Sequence, residues 1–95
     1  MVYIPYNKGG SLMPTISTFY GITIMMYQIG KEHNPPHIHA KYQEHQAKFS
    51  ILDGEKQGEF PSRASKMVQE FIKKYQKELL DMWETGNYIK LKGLD

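Results

Sequence analysis

HIHAKYQEHQAKFSIL, residues 37–52, alternates apolar and polar side chains in two halves. Ile38, Ala40 and Tyr42 interleave with His37, His39, Lys41 and Gln43, and then Ala47, Phe49 and Ile51 with Lys48, Ser50 and Leu52. A period of two is the mark of strands with one face in a core. The interruption near Glu44-His45 predicts a hairpin turn, without the Asn-Gly pair that would pin its register. Successive strand side chains point to opposite faces. His37, His39 and Lys41 therefore share the polar face, and Ile38 and Ala40 face the core. A slip of one residue would invert that assignment.

Upstream the hairpin is entered through HNPPHIHA, residues 33–40, with three histidines in seven residues. Pro35-Pro36 fixes φ and biases Asn34 away from helix, which makes a stiff corner before the strand. Further upstream, Ile16 to Tyr27 is rich in β-branched and aromatic residues. Gly21 divides this stretch into two strands with a tight connection, or bends one long strand. Gly30 and Lys31-Glu32 end it. Residues 1–12 contain Asn7-Lys8-Gly9-Gly10-Ser11, a linker composition, and read as a flexible N-terminal extension. Val2-Tyr3-Ile4 offers a short edge strand within it, and Met13 an alternative start.

Downstream, Asp53-Gly54 makes a turn, and Pro61-Ser62 opens a helix with Ser62 as N-cap. Ala64, Val68, Phe71, Ile72, Tyr75, Leu79, Met82 and Trp83 recur at helical spacing, and Gly86 closes the pattern. Tyr88, Ile89 and Leu91 suit a last short strand. Residues 13–95 thus read as a single α+β domain: a small antiparallel sheet with one long helix packed on one face. That leaves the other sheet face, with His37, His39 and Lys41, open.

The chain has 95 residues, no cysteine and a formal charge of +2 with neutral histidines. Disulfides and thiolate metal sites are excluded. No apolar run approaches the roughly 20 residues of a membrane span, and the N-terminus lacks a signal-peptide core. A soluble cytoplasmic protein without membrane association is expected. The pI of 8.8 is mildly basic and permits RNA or DNA as a partner without demanding one.

Three chemistries suit the histidines. His37 and His39, about 6.6 Å apart along a strand, can chelate a divalent metal such as zinc. A third ligand is needed: His33, which a polyproline-like Asn34–Pro36 would hold roughly 12 Å from His37 and a turn at Pro35-Pro36 would bring closer, or else Glu32, Glu44 or His45. Alternatively His37 and His39 act as acid and base, with Lys41 stabilising phosphorane charge, as in metal-free RNA cleavage. The same face, with Asn34, could bind a phosphate or a partner without chemistry. The plain structural alternative is a proline brace on which Asn34 and the imidazoles cap free backbone groups.

Met13-Pro14-Thr15-Ile16-Ser17, Phe19-Tyr20-Gly21 and His33-Asn34-Pro35-Pro36-His37-Ile38-His39-Ala40 together resemble the hallmarks of a family of small bacterial proteins, domain of unknown function 4160. The resemblance covers about residues 13–91. Chains of that family commonly start at the methionine matching Met13, which supports reading residues 1–12 as an extension. Ile38 stands where an aromatic is usual, and Gln43 where glycine is usual. No activity is established for the family. Its members are often encoded beside another small protein, in cassettes that look like toxin–antitoxin modules. The resemblance therefore implies a partner protein more than a reaction. The expected functions are binding of that neighbour-encoded protein, and of nucleic acid, through the histidine face; a histidine-dependent ribonuclease or phosphodiesterase; or non-catalytic metal binding. Self-association stays open.

Overall fold

The computed structural model describes residues 13–26 and 35–95. The N-terminal extension, the edge strand at Val2-Tyr3-Ile4, the strand end at Gly30, and His33 and Asn34 lie outside the described residues. Five strands follow one another across an antiparallel sheet in chain order: β1 (Thr15–Phe19), β2 (Ile22–Met25), β3 (His37–Tyr42), β4 (His45–Ser50) and β5 (Lys56–Gln57). Two helices follow, α1 (Ser62–Lys74) and α2 (Gln76–Thr85).

Gly21 does connect two strands. Phe19 pairs with Ile22, so Tyr20-Gly21 is a two-residue hairpin loop, with φ of +50° and +79°. Positive φ at both central residues is the type I′ arrangement, whose twist matches that of the flanking strands. The β3–β4 loop is also two residues long, but it lies at Gln43-Glu44, one position earlier than the sequence pattern suggests. Gln43 takes φ +55°, unusual for a non-glycine residue. Moving the loop by one position moves every pairing by two residues. The faces stay as expected, while the partners change: His39 pairs with Lys48, and His37 with Ser50.

Ile24, Ile38, Ala40 and Phe49 are fully buried, whereas Met25, His37, His39 and Lys48 on the reverse of the same strands are half-buried. Helix α1 lies on the apolar face. Its Ala64, Val68, Phe71 and Ile72 are buried at i, i+4, i+7 and i+8, and Phe71 stacks on Phe19 with ring centroids 5.1 Å apart. Pro61, not Ser62, is the residue preceding the first turn, and no side chain caps it.

The single long helix expected from the apolar period is two helices. Tyr75, at φ −115° and ψ 24°, interrupts them without a proline or glycine. Tertiary contacts supply the cause. The Gln76 side-chain amide donates to the carbonyls of Ile51 and Leu52, at 2.9 and 3.1 Å, and anchors α2 at the end of β4. Further along α2, Trp83 packs against His37 at the start of β3. Gly86 terminates it in the left-handed conformation, with its N–H on the Met82 carbonyl. The residues after it return to β1, where the Leu91 N–H donates to Ile16 O at 2.8 Å. This single bond stands where a last short strand was expected. Among the described residues no helix is long and apolar enough to cross a membrane.

Candidate functional site

The histidine face is built by alternate residues of four strands. Met25, His39, Lys48 and Gln57 form one row across β2–β5, and Thr23, Lys41 and Gln46 the next. His37 begins β3 opposite Ser50. The structure thus brings His37 and His39 together, with ring centroids 5.2 Å apart and planes inclined by 66°. Lys41 is exposed and lies one row away from His39. The cation directly across from His39 is Lys48, which the sequence reading left out of the site.

The His37 ring is held on two sides. Its Nδ1 lies 3.0 Å from the carbonyl oxygen of Pro35. A carbonyl only accepts, so Nδ1 carries the hydrogen, and in the neutral ring the lone pair sits on Nε2. The proline brace is therefore also a device for orienting an imidazole. On the other side the ring packs against Trp83 of α2, centroids 5.1 Å apart. The expected open face is therefore closed by α2 at its His37 end. His39 is held below the usual 6.5 by burial first, then by His37 and by Lys48. This favours the neutral ring, the form that serves as a base or a metal ligand.

Beside His37 is a cleft of roughly 310 Å³, between the Pro35-Pro36 entry and the turn that follows β4. His37, Lys48, Ser50, Asp53, Glu55 and Gln57 are among the residues that line it. Asp53 belongs to the turn itself. Its carboxylate accepts the Glu55 N–H at 2.9 Å, and that bond, followed by the Ser50 hydroxyl, holds its pKa down. Ser50 Oγ in turn accepts the Leu52 N–H at 3.2 Å. Lys48, Ser50 and Glu55 were missed by sequence reasoning. Counting back from a Gln43-Glu44 loop would have found Lys48.

For a metal, His37 Nε2 and the neutral His39 suit zinc as imidazole donors, with Pro35 as the outer partner that fixes the His37 tautomer. Among the described residues no group of three histidine or carboxylate side chains is placed to hold an ion. The third ligand of the sequence-based set, His33, lies outside those residues, as does the binding residue Asn34.

A family model described as a domain of unknown function (DUF4160) matches residues 21–84, from the first hairpin through both helices. No curated protein and no solved structure matches the chain.

Proposed function

We propose, for a chain that belongs to the family of domain of unknown function 4160, that it is the partner-binding member of a two-gene, toxin–antitoxin-like cassette. It works in the cytoplasm and binds the protein encoded beside it through the sheet face carrying His37, His39, Lys41 and Lys48. The observation that supports this is the asymmetry of the sheet. One face is sealed by helices, with Ile24, Ile38, Ala40 and Phe49 wholly buried. The other leaves His39, Lys48 and Met25 half-buried among polar neighbours. Trp83 covers that second face only at its His37 end, and the rest of it is a ready surface for a second chain, since polar strand faces of this kind form interfaces without a large apolar patch. Co-expression with the neighbouring gene product tests it. A complex that co-elutes, and that weakens on Lys41→Glu, is expected. Two proteins that elute separately at micromolar concentration would refute the reading.

A second reading is favoured by one specific feature, the Pro35-oriented imidazole of His37 beside a neutral His39. A ribonuclease or phosphodiesterase needs such a pair, one ring to take a proton and one to give it. In that reading His39 is the base, His37 the acid once protonated, and Lys48 replaces Lys41 as the group facing developing charge. Incubating the protein with RNA, with and without chelator, tests it. Intact RNA in both arms, or equal cleavage by a His37→Ala, His39→Ala variant, counts against it. Loss of cleavage in chelator alone would point instead to a metal-dependent form.

A further inference from the structure

The distribution of charge on the sheet names the partner's chemistry more closely, on the premise that the partner-binding reading holds. No aspartate or glutamate occurs anywhere in β1–β5. On the open face those strands present Lys41 and Lys48, His37 and His39, and otherwise threonine, serine, glutamine and Met25. Among the described residues neither lysine has a carboxylate within ion-pair distance; the one such contact is between His45 and Glu44, at 4.0 Å. Lys48 is moreover half-buried. A lysine with no carboxylate within ion-pair distance gains a charge-assisted hydrogen bond from an anion brought to it.

Two kinds of anion could arrive, and the face distinguishes them. Single-stranded nucleic acid is held by a basic groove together with aromatic platforms for its bases. Among the described residues the strands put no aromatic ring other than the imidazoles on this face, and Trp83 of α2 reaches only its His37 end, where its ring packs against His37. Tyr42 is turned to the other side, against Phe60 at 6.4 Å. The neighbouring rim carries Asp53 and Glu55, which repel a continuous run of phosphates. A peptide can instead place discrete carboxylates over the lysines and a basic residue over that rim. Lys41 lies opposite Gln46, two residues from Lys48, so the lysines are diagonal neighbours about 7–8 Å apart at the backbone. Alternate residues of an extended chain are separated by about 6.6 Å.

We infer that the open face binds an extended acidic segment of the partner protein, with aspartate or glutamate at two alternate positions. One carboxylate pairs with Lys48 beside the two histidines, and the other with Lys41.

The test uses the full chain and the neighbouring gene product, with affinity measured by titration calorimetry. Lys41→Glu, Lys48→Glu is expected to weaken the complex by roughly tenfold or more. Lys41→Gln, Lys48→Gln, a milder change that keeps side-chain bulk, is expected to weaken it less, and the exposed helix pair Lys66→Glu, Lys77→Glu to leave it unchanged. Reversal of two alternate acidic residues in the partner to lysine should restore binding to the charge-reversed protein. A complex that forms with the wild type and survives both lysine double substitutions overturns this inference and leaves the partner-binding reading standing. Absence of any complex with the wild type refutes that reading, and the inference with it. Tight binding of a single-stranded RNA oligonucleotide that is lost in Lys41→Glu, Lys48→Glu overturns the inference in favour of nucleic acid.

Discussion

His37 and Trp83 pack ring against ring at the end of the sheet, centroids 5.1 Å apart and planes inclined by 55°. This contact joins the candidate site to α2. Buried aromatic truncations cost about 3–5 kcal/mol, and Trp83 is half-buried, so Trp83→Ala is expected to lower stability by about 1–2 kcal/mol. Part of that loss is the pair itself. A double-mutant cycle of His37→Ala and Trp83→Ala should give a coupling of about 0.5–1.5 kcal/mol in urea unfolding. Strict additivity would show that the rings are neighbours without interaction.

Gln43 bears a backbone conformation that suits glycine. Its φ of +55°, at the first central position of the β3–β4 loop, forces a β-carbon towards the following carbonyl. That costs an L-residue about 1–2 kcal/mol. Glycine removes the strain and adds unfolded-chain entropy that offsets part of the gain. Gln43→Gly should therefore stabilise the protein by about 0.5–1 kcal/mol, a rise in Tm of about 2–8 °C. A lower Tm would mean that the Gln43 side chain contributes more than its backbone costs.

The two-residue period of residues 37–52 made both faces of the hairpin legible, because strand alternation is a local property that survives an error in loop position. Lys48 was not legible as the partner of His39, because that pairing depends on which residue accepts a positive φ, and Gln43 carries no glycine signal. The division of the helix was hidden for a different reason. Val68, Phe71, Ile72, Tyr75, Leu79 and Met82 keep an unbroken helical period, and the break comes from the hold of Gln76 on the chain leaving β4. The approach of Trp83 to His37 joins residues from opposite halves of the chain, and no local pattern records it.

Gly93 lies where the C-terminal residues cross β1. A β-carbon there would fall 2.5 Å from the Phe19 β-carbon and 3.0 Å from the Thr18 carbonyl oxygen. Backbone cannot retreat from such a contact as a flexible side chain can, and overpacking of this kind typically costs about 1–3 kcal/mol. Gly93→Ala should displace the segment locally. The expected sign is faster hydrogen exchange at the Leu91 N–H, whose bond to Ile16 O holds the segment down, with the exchange of β3 and β4 amides little changed. Unaltered protection at Leu91 would show that the crossing is looser than this spacing requires.

His39 makes stability depend on pH in a definite direction. Burial, then His37, then Lys48 hold its folded-state pKa below 6.5. Well above pH 6.5 the ring is neutral in both states and contributes no slope. As the pH falls below 6.5 the unfolded chain takes up the proton first, so it binds more protons than the folded chain and stability declines. The decline levels off once the pH is below the folded-state pKa. Urea midpoints should therefore be lower near pH 5.5 than near pH 7.5, and His39→Asn should remove part of that difference. Lys48→Met should remove a smaller part, since Lys48 is the third of the three causes. An unchanged pH slope in His39→Asn would assign the dependence to other groups. A partner carboxylate placed on Lys48 would offset the charge that acts on His39, so the complex should show a shallower slope than the free chain.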